Sequence, residues 1–328
     1  MEQVLDLTSI TDCITTELRE FEQRFSTTIH ADVELIDEII TYVAEHKGKR
    51  LRPILIFLTA NLSGGSTERT IEAAQIVELI HTASLIHDDV VDISELRRGA
   101  PSVYSIWKNR ISILIGDYLF SQALQKMMQF SDAEINEVIA NVTRRMSEGE
   151  LLQVERTRNL EIDELTYFQI ITDKTACFIA ASCAIGALTS SNRQLVQREK
   201  LQRFGEYLGI AFQIRDDLLD YIGSEEITGK PVGNDLKQNK ITLPLLYALQ
   251  HSNDVKANQL RAIIQEGGEF SDFETIQTLV TDLGGVQYAQ QKAGTYAYKA
   301  IEILSEFAKS PYRDSLEKLV EFTTVRTM

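Results

Sequence analysis

Three observations on this sequence predict an all-α protein folded as one domain over residues 1–328. Runs with the 3.6-residue apolar period of a helix dominate over short alternating runs. Only five prolines and seventeen glycines punctuate the 328 residues. No Pro- or Ser-rich linker divides the chain and no segment repeats at a fixed period. One large core is therefore simpler than two domains, and a hydrophobic content of 44% is enough to fill it.

The helical pattern runs through residues 4–25, 31–45, 53–61, 67–93, 111–129, 132–155, 162–188, 193–221 and 240–250, with more helix from 255 to the C-terminus. LSGGST (62–67) is a turn in which Ser66 and Thr67 are helix-start residues. YIGSEEITGKPVGND (221–235) is the one long irregular segment, broken by glycine and proline. Stretches 67–86 and 176–188 are apolar around most of their circumference, which places them inside a bundle. Function should lie where polar residues interrupt those central helices.

A net charge of -15 and a pI near 4.9 exclude nucleic acid as a partner, because a phosphate backbone is repelled overall. Anions must then be held by a local basic patch. Cys13, Cys177 and Cys183 lack metal-ligand spacing and read as reduced thiols of a cytoplasmic protein. The start MEQVLDLTSITDCITTELREF is acidic early, unlike a secretory signal or a mitochondrial presequence. Apolar stretches 53–62 and 176–188 fall short of the roughly 20 residues that span a bilayer. The expectation is a soluble protein with no transmembrane segment and at most peripheral membrane contact.

LIHTASLIHDDVVDISELRRG (79–99) ends an apolar helix in three carboxylates. The i, i+4 relation puts Asp88 and Asp92 on one face, with Asp89 beside them. Such crowding calls for a cation, and Mg²⁺ suits a site of few protein ligands completed by water and phosphate. A calcium loop is excluded, since its glycine and twelve-residue ligand spacing are missing. Arg97 and Arg98 follow within two turns and can clamp a diphosphate; the alternative is that they only neutralise Asp92 and Glu95.

The pattern returns as DDLLD, with Asp216, Asp217 and Asp220 closing the apolar helix FGEYLGIAFQIRDDLLDY. Two such clusters can face each other across a bundle and grip several metal ions on one ligand. GKRLRP (48–53) and GKPVGNDLKQNK (229–240) add Lys49, Arg50, Arg52, Lys230 and Lys240 where glycine or proline breaks the helix. Of these loop residues, Arg50 and Lys237 read most readily as merely solvated.

Together GKRLRP, HTASLIHDDVVDISELRRG, DKTA (173–176), FQIRDDLLD (212–220) and GKPVGNDLKQNKITLP resemble the all-trans polyprenyl diphosphate synthases of the class I isoprenoid synthase superfamily. The likeness covers residues 30 to 250 in the family's order and spacing. It implies a helical bundle around a deep central cavity, a homodimer, and condensation of isopentenyl diphosphate with an allylic diphosphate such as farnesyl or geranylgeranyl diphosphate. It also implies three Mg²⁺ ions in the loaded site. On this resemblance Asp88, Asp92 and Asp216 match metal ligands, supported by Asp89, Asp217 and Asp220. Lys49, Arg52, His81 and Arg98 match the isopentenyl diphosphate site, and Arg97, Lys174, Lys230 and Lys240 the allylic side. Thr175 and Gln213 match polar groups near the reacting carbons. Asn239 departs from the family, where a glycine is common before the lysine.

Upstream of Asp88 the same helix face carries Ser84, His81 with Ile80, and Val77. Eleven residues at about 1.5 Å each put Val77 roughly 16 Å deep in any tunnel starting at the metals. Ala83 and Ser84 are small where family members that stop early tend to place bulky aromatics, so a long product, of six to ten isoprene units, is expected. Leu124, Met127 and Met128 are floor candidates. Rival readings are a terpene cyclase, against which DDLLD and GKRLRP both speak, a shorter-chain farnesyl or geranylgeranyl diphosphate synthase, and a subunit of a two-component prenyltransferase.

Overall fold

The structure is a computed structural model and describes residues 6–28, 33–159, 162–222, 233, 240–250, 255–265 and 273–324. Nearly all of them are helical, as the apolar periodicity predicts. The helices are α1 Leu7–Thr11, α2 Thr15–Thr28, α3 Glu34–Glu45, α4 Leu51–Leu62, α5 Glu68–Val91, α6 Val103–Phe130, α7 Ala133–Asn159, α8 Glu164–Ile171 and α9 Cys177–Thr189. They continue as α10 Leu195–Ile222, α11 Leu243–Gln250, α12 Val255–Gln265, α13 Phe273–Asp282, α14 Gly285–Ser305 and α15 Pro311–Thr324.

The chain divides into two compact units. One takes in Met1–Asn141, Ile179–Arg203 and Leu304–Lys318; the other takes in Val142–Phe178, Phe204–Ile303 and Leu319–Met328. In the first unit Pro53 to Ala60 of α4 are buried without a gap. Helix α5 is buried from Ala73 to Ile80, as its uniform hydrophobicity requires. In the second unit Ile171, Ala176, Ile210, Ile214, Leu218 and Leu246 form the centre of one apolar cluster.

Three local features depart from a plain run of helices. Strands β1 Leu96–Arg97 and β2 Ala100–Pro101 pair antiparallel, and the turn residues Arg98 (φ 56) and Gly99 (φ 78) both take the left-handed conformation of a tight hairpin. Helix α6 is broken at Lys108 (φ 65, ψ 174), so its regular part starts close to residue 111, where the periodicity predicts it. The expected helix over 162–188 contains a π-helical turn, Thr172–Ala176. With that turn it runs from Glu164 to Thr189, 26 residues that are long and apolar enough to cross a membrane. Its most apolar stretch is 78% buried in the protein, which is how a core helix reads.

Candidate active site

Helix α5 starts from a Thr67–Thr70 capping box, in which the Thr67 N–H donates to Thr70 Oγ1 at 2.9 Å, and ends in the first acidic motif. The Asp92 N–H donates to Asp88 O at 2.8 Å, so these two half-buried carboxylates stand one helical turn apart. Asp89 faces the other way and is 2% exposed. Arg97 grips it, with Nε at 2.7 and 2.8 Å from the two carboxylate oxygens and Nη2 at 2.7 Å. Arg97 therefore neutralises Asp89. The chain leaves the helix through Ile93 (φ 52), with the Ser94 N–H on Asp89 O at 2.9 Å, a Schellman-type stop that places an arginine-bearing hairpin over the acids.

The basic turn GKRLRP enters α4. Lys49 is exposed, and Arg52 Nη1 lies 2.8 Å from His81 Nε2. Burial, then the charges of Arg52 and Arg98, hold the His81 imidazole well below its ordinary value. It is thus neutral, and Nε2 accepts the guanidinium N–H. Arg98 donates to His46 O at 3.2 Å and lies flat against Gly48, where any Cβ would collide with its guanidinium. A side chain at 48 would displace the flexible end of Arg98 from this position. Beside these groups the first unit has a cavity lined by Tyr42, His46, Glu78, Thr82, Arg97 and Arg98. Arg50, expected to be solvated, is instead half-buried, with Nη1 2.5 Å from Glu78 Oε1 and Nε 3.0 Å from Glu22 Oε1. Sequence reading misses this because neither carboxylate is near Arg50 in the chain.

The second unit holds the DKTA residues in the π turn, a widened geometry that turns side chains out of the regular helical register. Lys174 Nζ lies 2.5 Å from Glu150 Oε2 and 3.2 Å from Gln153 Oε1. Thr175 Oγ1 donates to Gln213 Oε1 at 2.9 Å, and Gln213 Nε2 donates to Asp217 Oδ1 at 2.8 Å. The Tyr167 hydroxyl donates to the other oxygen, Oδ2, at 2.6 Å. Tyr167 escapes a motif-based reading, since its only signal is a lone tyrosine on an apolar helix. Burial pushes the Asp217 carboxyl up to about 6, against the lowering effect of its two donors. Gly209 lets α10 approach the turn: a Cβ there would stand 2.6 Å from Ala176 Cα. Asp216 is exposed and Asp220 half-buried. The Gly233 N–H donates to Asp220 O at 3.2 Å, and Lys240 is half-buried just before α11. Lys230 and Lys237 lie outside the described residues.

Along α5, Ala83 and Val77 are buried, and Ser84 donates to His81 O at 2.9 Å. Of the expected floor residues on α6, Met127 is buried, but Leu124 is 60% and Met128 77% exposed. Those two therefore do not close a tunnel within the first unit. Leu124 and Met128 are four residues apart and so share one face of the helix, which is exposed.

Among the described residues no three acidic, histidine or cysteine side chains converge into a ready metal cage. A hard cation such as Mg²⁺ takes few protein ligands where water and phosphate oxygens complete its shell. Asp88 with Asp92, and Asp216 with Asp220, have the one-turn spacing that suits such an ion. Asp89 is hydrogen-bonded by Arg97, and Asp217 by Tyr167 and Gln213.

A model of the polyprenyl synthetase family matches residues 33–283. Octaprenyl diphosphate synthase of Haemophilus influenzae is 34% identical over 310 residues, 94% of this chain and 94% of that protein. Component 2 of heptaprenyl diphosphate synthase from Geobacillus stearothermophilus is 32% identical over 303 residues, 92% and 93% of the two chains. Among solved structures, a polyprenyl synthase from Caulobacter crescentus complexed with calcium and isoprenyl diphosphate matches with a TM-score of 0.91 at 34% identity, covering 97% of each chain. This protein belongs to the polyprenyl synthetase family, the trans-prenyl diphosphate synthases.

Proposed function

We propose that the chain is a Mg²⁺-dependent long-chain polyprenyl diphosphate synthase, which adds isopentenyl units one after another to a farnesyl or geranylgeranyl primer. The observation that carries this reading is that each acidic helix end, Asp88 with Asp92 and Asp216 with Asp220, is joined within its own unit to the groups the chemistry needs. The first stands beside the arginine hairpin and the Arg52–His81 pair. The second is tied through Asp217 and Gln213 to Thr175, which follows Lys174 in the π turn.

The reaction breaks the allylic C–O bond and leaves diphosphate and an allylic cation. The double bond of isopentenyl diphosphate then attacks C1 of that cation, and loss of a proton from the new tertiary cation restores an alkene. Asp88 with Asp92, and Asp216 with Asp220, would hold divalent ions, which would supply charge stabilisation to the departing diphosphate. Arg97, Lys174, Lys230 and Lys240 neutralise the same group from the protein side. Lys49, Arg52, His81 and Arg98 hold the second diphosphate, and neutral His81 keeps the Arg52 guanidinium oriented. Because the Thr175 hydroxyl donates its hydrogen bond to Gln213, its oxygen lone pairs are left to stabilise a passing cation. No serine or cysteine nucleophile is needed.

Incubation with farnesyl diphosphate, labelled isopentenyl diphosphate and Mg²⁺, resolved by chain length against an EDTA control, tests the proposal. A metal-dependent ladder ending at one long species supports it. No incorporation by the purified chain favours the second reading, a catalytic subunit that needs a partner, which the likeness to a heptaprenyl synthase component suggests. Self-association as a homodimer is proposed on the exposed apolar residues Ile113, Leu114, Leu124 and Met128 of α6.

A further inference from the structure

We propose that Arg50 is a positioning residue for the isopentenyl diphosphate subsite, latched from one side by Glu78 of α5 and from the other by the N-terminal helix α2. The inference rests on the reading above that Lys49, Arg52, His81 and Arg98 bind that diphosphate. Arg50 sits between Lys49 and Arg52 in sequence and is the residue at which the chain turns into α4. Its φ of 54 is left-handed, a conformation that costs a non-glycine residue free energy and persists only where the surroundings hold it.

The surroundings are unusually complete. The Arg50 side chain is 12% exposed and takes Glu78 Oε1 at 2.5 Å and Glu22 Oε1 at 3.0 Å. The guanidinium also lies 4.9 Å from the centre of the Phe25 ring. A cation so engaged inside the protein is placed to hold a loop and not to meet a substrate. Glu78 and His81 are three residues apart on one face of α5. Two ties thus run between the start of α4 and α5, Arg50 to Glu78 and Arg52 to His81, and the first fixes the backbone on which the second is mounted.

The outer half of the latch is peculiar in position. Glu22 and Phe25 belong to α2, ahead of residue 33, where the match to the family begins. Lys47, just before the turn, also reaches Glu22, at 3.1 Å. Helix α2 therefore grips the turn on both sides of Lys49.

The test is steady-state kinetics of the full chain with isopentenyl and farnesyl diphosphates varied independently, for Arg50→Met, Arg50→Lys, Glu22→Gln and Phe25→Leu. We expect Arg50→Met to raise KM for isopentenyl diphosphate about tenfold with KM for farnesyl diphosphate and kcat within about twofold, a loss of uniform binding of one substrate. Arg50→Lys should recover part of the loss, and Glu22→Gln, whose side chain is 32% exposed, should raise the same KM about threefold. If Arg50→Met does not fold, the two α2 variants carry the same readout. Thermal destabilisation with both KM values unchanged would overturn the proposal and leave Arg50 a structural residue only. Lys49→Ala separates this outcome from failure of the underlying reading. If Lys49→Ala raises KM for isopentenyl diphosphate and the Arg50 and α2 variants do not, only the latch is wrong. If Lys49→Ala has no effect either, the subsite assignment itself is wrong.

Discussion

The Tyr167 hydroxyl and the Asp217 carboxylate are 2.6 Å apart, and through them a residue of α8 closes the chain of hydrogen bonds that fixes Gln213 and Thr175. Removing one donor from a buried carboxylate leaves it short of a partner, which costs about 1–3 kcal/mol. Tyr167→Phe should therefore lower stability by about that much and reduce kcat about tenfold, because Gln213 loses its fixed anchor. Urea unfolding and single-turnover kinetics check both effects, and an unchanged kcat would separate Tyr167 from the reacting groups.

Asp88→Ala or Asp216→Ala should reduce turnover by about 10³-fold, the scale at which loss of a charge-stabilising group is felt in the transition state. The fold should survive, since either change removes one of several mutually repelling carboxylates. Circular dichroism against rates at graded Mg²⁺ would show this, and EDTA should abolish turnover of the wild type. Full activity in either variant would remove that aspartate from the metal site.

Burial and the neighbouring arginines hold His81 well below its ordinary value, so the folded chain keeps it neutral where the unfolded chain takes up a proton. Below roughly pH 6.5 the unfolded state binds more protons, and stability falls as pH falls. The wild type should accordingly lose more Tm between pH 7.5 and pH 5.5, about one unit on either side of that ordinary value, than His81→Gln does. The buried Glu78 carboxyl is raised and has the opposite sign at lower pH, but it is common to both proteins and cancels in the comparison. Parallel Tm curves would show that His81 titrates normally.

Lys108, at φ 65 and ψ 174, occupies a region that is essentially reserved for glycine. Lys108→Gly should stabilise the chain by about 1 kcal/mol, the strain relieved less the extra unfolded-state entropy of glycine. Chemical denaturation reads this directly, and a loss of stability would mean that the Lys108 Nζ contact with Ser105 O, at 2.6 Å, outweighs the backbone strain.

Ala83 is fully buried on α5, five residues before Asp88. Ala83→Phe should shorten the product without abolishing condensation, checked by chromatography of the dephosphorylated alcohols. An unchanged product would mean that the growing chain does not pass this position.

The helical class, the two acidic helix ends and the basic turns were legible in the sequence because each depends on residues within a turn or two of one another. Apolar periodicity and i, i+4 spacing are local quantities, and Asp92 closes the turn begun at Asp88 as that spacing requires. Only tertiary structure decided which carboxylates face inward. Asp89 and Asp217 differ from their neighbours by one position, about 100° around a helix, and what they meet there is Arg97 in a hairpin and Tyr167 on another helix. The same holds for Arg50, read as solvated, whose partners Glu22 and Glu78 are each 28 residues away in sequence. The π turn at Thr172–Ala176 has no signature in composition. Its five residues read as helix, and packing against Gly209 accompanies the extra residue in the turn. Leu124 and Met128 went the other way, from expected tunnel floor to exposed surface, because the phase of α6 is set by what packs against it. Local patterning determined what the chemical groups are, and packing across long sequence separations determined where each one points.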